Sequence, residues 1–293
     1  MAEGDMTFWE HLDELRKVIF RPIIVLIVLM CLLFSAKTFI FNRIVFGPVD
    51  NDFILYRGIN YILALLHQNP LPDYKLQIIN IDLPAQFFIH ISTTFYVSLL
   101  IAMPYLFYEL WTFVRPALYP KEKHVVEKAF GFAGLLFYTG VLVGYFLVFP
   151  LTLRFLGTYQ VSTDVVNTIS LRSYINMFVS MILIMGIVFE FPILAAILSK
   201  IGIINKQMLK KYRKHAFVIL LIVSAGITPS GDPFTLFAVD LPLYALYEIS
   251  IAMCKSKKED ADDDENEDEN EDEDEDEDED ADVAETIGDK GVK

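Results

Sequence analysis

Four long apolar runs, at about 18–39, 84–107, 129–149 and 174–198, constrain the fold of this chain more than any other feature. Each exceeds the ~18 residues that mark a spanning helix, and at ~1.5 Å of rise per residue each covers a hydrocarbon core of ~30 Å. Two weaker runs follow. The stretch 216–227 gives roughly 18 Å of helix, and 233–253 is interrupted by Asp240, Pro242 and Glu248. These read either as undersized spanning helices or as a re-entrant hairpin, and both return the chain to the same side of a bilayer. The expected fold is therefore all-α: a polytopic membrane protein with six transmembrane helices, the last two short. A hydrophobic fraction of 54% and a mean hydropathy of +0.42 exclude an ordinary soluble domain.

Net charge separates the tail from the rest. The formal −15 comes from residues 259–282, which hold 20 Asp or Glu in 24 positions, whereas residues 1–258 carry 22 Lys or Arg against 17 acids. A segment of that composition repels itself and builds no core, so 254–293 reads as a disordered acidic tail. With the amino terminus placed in the cytoplasm, 16 Lys or Arg flank the inner ends of the runs and six fall on the other side. That asymmetry predicts both termini cytoplasmic. It also makes 42–83, with Pro48, Pro70 and Pro72, an external cap rather than a linker. Cys31 and Cys254 fall in or at the end of apolar runs and suggest no disulfide framework. Neither a cleavable signal nor a transit segment precedes the first run, which is expected to stay as an anchor in a bacterial membrane.

Residues 1–17 read as a short amphipathic helix on the cytoplasmic surface. Thr7-Phe8-Trp9-Glu10 fits a capping box, and Phe8, Leu12 and Leu15 share one face. The other face shows Glu10, Asp13 and Glu14, with Lys17 near enough to neutralise part of it. By charge pattern alone this is a solvated surface. Glu190 differs, because a carboxyl inside an apolar run costs a few kcal/mol unless it faces the bundle interior or a wet cavity. Pro192 should bend the helix beside it. Asp232 lies among turn formers, Thr228 to Pro233, where capping the next helix is the simplest role. His90 reads as a hydrogen-bonded structural histidine. There is no HExxH, P-loop, GxSxG or Cys/His cluster, so metal, nucleotide and cofactor chemistry have no support.

Several motifs in fixed order carry a resemblance. His11-Leu12-Asp13-Glu14-Leu15-Arg16, the run from Phe113-Val114-Arg115-Pro116 to Pro120-Lys121-Glu122, Phe189-Glu190-Phe191-Pro192, and Thr228-Pro229 with Asp232 are similar to the TatC family, the receptor core of the twin-arginine translocase. The resemblance covers about residues 7–253 and leaves out the acidic tail. It implies a non-enzymatic receptor in the bacterial inner membrane that binds twin-arginine signal peptides of folded cargo. The implied partners are TatA- and TatB-type single-span proteins, the lipid bilayer and further copies of itself, with no nucleic acid. By position, Glu14 and Glu122 would receive the guanidinium groups, Phe113 would line the adjoining surface, and Arg16 would position the first carboxylate or nearby backbone. Arginine suits that role because its planar fork of donors matches a carboxylate. Glu190 would perturb the bilayer or meet a partner helix, and Asp232 would mark the end of a partner groove.

Two departures stand out. Leu236 occupies a position where the family often has glutamine, so Asp240, one turn on, is expected to replace that polar contact. Val18 stands where a second basic residue is common, and Lys17 would supply the charge. The competing reading is a secondary transporter using Glu190 and Asp240 as an ion site, which usually brings inverted repeats that this sequence does not show. For the tail, the sharper expectation is weak competition with the inner carboxylates for basic peptides.

Overall fold

The computed structural model describes residues 8–114, 120–162, 167–200, 203–228 and 231–254, with the side chains of 8–15, 114, 120–129, 200 and 227 outside that description. The acidic tail and the turn residues Pro229 and Ser230 therefore lie outside the described residues. The chain is mostly helical. In order, α1 (Phe8–Ser35), the single turn α2 (Lys37–Phe39) and α3 (Ile54–Leu65) precede the long α4 (Ala85–Val114) and α5 (Pro120–Val143). Then come α6 (Phe149–Thr158), α7 (Leu171–Val188), α8 (Phe191–Lys200), α9 (Lys206–Lys211), α10 (Arg213–Ile227) and α11 (Pro233–Met253). Among the described residues, the one departure from all-α is a parallel ladder of two short strands, β1 (Gln77–Ile79) and β2 (Thr168–Ser170), in the register Ile78 to Ile169. It ties the segment before α4 to the start of α7.

Among the described residues, five helical segments are long and apolar enough to cross a membrane: Arg16–Ser35, Ala85–Phe113, Phe130–Thr158, Leu171–Ser199 and Pro233–Met253. The sixth expected crossing is α10, whose 15 residues give ~22 Å of helix. Helix α1 runs unbroken from Phe8 through Pro22 to Ser35, so the amino-terminal polar stretch continues directly into the first span. Its apolar window is only 6% buried and packs chiefly on α4. Ile24 and Leu32, 59% and 65% exposed, suit a helix surrounded by lipid. The third span is longer than its apolar run suggested. A π-helical segment at Gly144–Val148 links α5 to α6 without a break.

Lipid gives helices little reason to associate, so small residues and satisfied backbone groups hold such a bundle together. Helices α5 and α7 cross where Gly140, Gly144 and Gly186 meet the opposing backbone and side chains. A Cβ on Gly140 would stand 2.5 Å from the Met185 carbonyl oxygen and 2.7 Å from Phe189 Cβ. Backbone satisfaction is visible on α4. Pro104 has no N–H for the Leu100 carbonyl four residues back. Tyr138 of α5 supplies a donor instead, its hydroxyl 3.1 Å from Leu100 O. Tyr138→Phe is expected to lower stability by ~1–2 kcal/mol, read as a lower unfolding midpoint in detergent, because that carbonyl loses its tyrosine donor in an apolar medium.

The segment expected as a cap is ordered. A π-helical turn at Ile40–Val45 leaves carbonyls that continue into no helix, and tyrosines take them: Tyr145 donates to Ile44 O at 3.0 Å and Tyr174 to Val45 O at 2.5 Å. Buried Tyr56 sits 2.9 Å from Pro150 O and 3.1 Å from the Tyr74 hydroxyl. The Arg154 guanidinium lies over both rings, 5.1 Å and 4.9 Å from their centroids, and donates to Pro72 O. Asn51 adds a two-way clamp, donating to Tyr74 O and accepting from Tyr74 N.

Candidate functional site

One end of the bundle is fixed by two contacts. Arg21, early in α1, places Nη1 3.7 Å from Glu109 Oε2, late in α4. Trp111 of α4 is buried and lies 5.6 Å, ring to ring, from Phe130 of α5. The start of α1, the end of α4 and the start of α5 therefore share this end. Glu14 and Glu122 are both on helical backbone here, though their side chains lie outside the described residues. Glu14 precedes Arg21 by seven residues, ~10 Å along the helix, and Glu122 precedes Phe130 by eight, ~12 Å. Phe113, half-buried, is one turn beyond Glu109 on α4. Arg16 is exposed, with its guanidinium 5.6 Å from the Phe20 ring.

Glu109 is the residue that the sequence did not single out. It is 2% exposed, accepts from the Tyr105 hydroxyl at 2.5 Å through Oε1, and keeps Oε2 buried with no hydrogen-bond partner. Arg21, with its side chain 55% exposed, is near enough for attraction but too far for a hydrogen bond. A buried carboxylate so incompletely paired, one turn from Phe113, is placed to attract a cation. The available signal was its spacing, four residues after Tyr105 and four before Phe113.

Glu190 sits at a break in the fourth span. Phe189 and Glu190 form a turn between α7 and α8, and the Glu190 amide reaches back only three residues, to Ile187 O at 3.1 Å. Pro192 explains the break, since it cannot donate to the Val188 carbonyl. The Glu190 side chain is half-buried, and its Oε1 has no hydrogen-bond partner.

Helices α10 and α11 form an antiparallel pair. Arg213 bonds Glu248 at 2.6 Å near one end, and Ser224 donates to Asp240 at 3.4 Å deeper in. Asp240 is 3% exposed and Ser224 fully buried, so this carboxyl turns inward between the two helices. Asp232 caps α11, accepting from Thr235 N at 2.8 Å. The site residues named from the sequence thus fall into separate groups. One lies around the ends of α1, α4 and α5, Glu190 lies at the α7–α8 break, and Asp232 and Asp240 belong to α11. No hydrogen bond or ion pair joins Glu190 to Asp240 among the described residues.

Comparison with known proteins follows the same outline. A family model described as Sec-independent protein translocase protein (TatC) matches residues 10–242. The TatC protein of Blattabacterium sp. subsp. Periplaneta americana is 39% identical over 253 residues, covering 85% of this chain and 95% of that one. The one from Deinococcus radiodurans is 30% identical over 247 residues, covering 84% and 85%. A crystal structure of the twin-arginine translocase receptor TatC superposes with a TM-score of 0.65 at 30% identity, covering 84% of this chain and 100% of that chain.

Proposed function

Because the chain belongs to the TatC family of Sec-independent protein translocases, non-enzymatic membrane proteins of protein transport, we propose that it is the receptor for twin-arginine signal peptides. In this reading the paired arginines of the peptide meet Glu14 and Glu122, with Phe113 beside them and Arg16 positioning the first carboxylate or a neighbouring backbone. Glu109 adds a third acid at the base of the cradle. Arg21 stands beside it as a resident cation that an incoming guanidinium displaces or joins. The observation that carries the proposal is the Arg21–Glu109 and Trp111–Phe130 pinning, which supports a shared end for the helices that bear these residues.

That end faces the cytoplasm, with both termini there, in keeping with the Lys and Arg excess on this side of the spans. Residues 1–17 form its peptide-facing rim, 18–253 form the membrane domain with 42–83 as the external cap, and 254–293 form a solvated acidic tail. Helices α10 and α11 make the fifth and sixth crossings, the former short enough to thin a bilayer locally. TatA- and TatB-type single-span proteins dock along the membrane domain, with half-buried Glu190 at the α7–α8 break as a polar contact and Asp232 marking one end of the α11 surface. Asp240 serves that surface from within, by fixing α11 against α10. The membrane is the bacterial inner membrane, and copies of the chain self-associate there.

The test is a twin-arginine peptide carrying a photoreactive group beside its arginines, irradiated with the full chain in nanodiscs. Crosslinks should map to residues near Glu14, Phe113 and Glu122. Labelling confined to the opposite end of the bundle, around the cap, would remove the receptor reading.

A further inference from the structure

At the end of the bundle opposite Glu109 lies a cavity of about 640 Å³ between α2, the π-helical turn, β1 and the starts of α4 and α7. Its size is within the ~300–1,000 Å³ typical of small-ligand sites. The lining is two-sided. Lys37, Asn42, Asn80 and Gln86 bring polar groups, while Phe41 and His90 line its aromatic side. Among the described residues, Lys37 is the one charged side chain on the wall, and no carboxylate is there. The nearby Asp82 is engaged elsewhere, with Arg172 at 3.7 Å, and its carbonyl takes one N–H of Asn80 at 2.9 Å. His90 stacks on Phe34 at 4.0 Å, and its buried Nε2 has no hydrogen-bond partner. The expectation of a hydrogen-bonded structural histidine is thus not met at Nε2 among the described residues.

The rim is apolar and bare. Phe87 is 60% exposed at the mouth, with Ile81 at 71% and Leu83 at 96% just before it in the chain. Such side chains at the end of two membrane spans lie at the level where headgroups meet hydrocarbon. A ligand that satisfies both parts has an anionic head able to accept several hydrogen bonds and an oily body leaving through the rim.

We propose that this cavity holds the headgroup of one phospholipid, its phosphodiester against Lys37 and the amides of Asn42, Asn80 and Gln86, its acyl chains over Phe87 and Leu83. The remaining N–H of Asn80 is a natural donor to the phosphate, and the His90 ring forms part of the wall beside it. This site is independent of the peptide cradle.

A photoactivatable phosphatidylglycerol, diazirine near the headgroup, added to the full chain in detergent provides the test. Labels are expected within 37–46 and 78–90, and Lys37→Glu should cut the labelling and the lipid adduct in native mass spectrometry about fivefold. Lys75→Glu, equal in charge change but off the wall, should leave both unchanged, and peptide crosslinking should be unaffected by either variant. Equal lipid retention in wild type and Lys37→Glu, or labels scattered over the spans, would overturn the proposal. So would full displacement by millimolar inorganic phosphate, which would make this a free-anion site.

Discussion

A chain carrying Glu14→Ala and Glu122→Ala together is expected to bind a twin-arginine peptide roughly 10²–10⁴-fold more weakly than wild type. The magnitude follows from losing two charge-assisted hydrogen-bonded contacts at about 1.5–3 kcal/mol each, taken as additive. Each single variant should lose one such contact. A peptide with Lys-Lys in place of Arg-Arg should bind the wild type poorly, because an ammonium lacks the planar fork that engages a carboxylate on two atoms. On the proposed reading, rising salt should weaken wild-type binding less than simple surface pairing would, since Glu109 and Trp111 at that end of the bundle are buried. Fluorescence anisotropy of a labelled peptide in nanodiscs reads all of these. Undiminished affinity in the double variant would leave the two carboxylates as ordinary surface charge.

The second large effect is steric. Gly140→Val should destabilise the protein by ~3 kcal/mol or more and abolish export, because the new Cβ has no space to occupy. The contact at 2.5 Å is with backbone oxygen of Met185, which cannot swing aside as a side chain tip would. The same crossing is tight at Gly186, whose Cβ would meet Phe137 at 2.8 Å, so α5 cannot slide to make room. Separating the helices also displaces Phe189 and the break at Glu190 that follows it. Gly134→Ala is the matched control, since nothing stands within 4 Å of a Cβ there. Thermal unfolding in detergent should show a large drop for the first and little change for the second. A similar midpoint for both would mean that the crossing is looser than its geometry.

Hydropathy along the chain is enough to make most of the bundle legible. The last apolar run is α11 to the residue, Pro233 to Met253, because Asp232 and Pro233 supply a cap and a first-turn proline, both local signals. Glu248, which interrupts that run in the sequence, is matched by Arg213, 35 residues earlier, a pairing that only the antiparallel packing of α10 and α11 creates. The same holds for Tyr138 and Leu100 and for the tyrosines that close the cap, all contacts across long stretches of chain. Glu109 gives only its helical spacing from Tyr105 and Phe113 as a signal, because it sits just past an apolar run, where charge is unremarkable; the α1–α4 contact shows it to be enclosed. Glu14 and Glu122 stand out through their neighbours in the family motifs, since charge pattern alone gives them no special status.

The clasp of Tyr56, Tyr74 and Arg154 sets how its region responds to alkali. Burial raises both phenols above their ordinary value, and the nearby guanidinium only partly offsets that. A phenol freed on unfolding titrates near ~10. The protonated clasp therefore contributes its full share below that point and loses it as pH climbs toward the higher folded values. Neither ring's shift depends on an imidazole, so a surrounding medium that drifts through the mildly acidic and neutral range leaves this knot of the chain as it was.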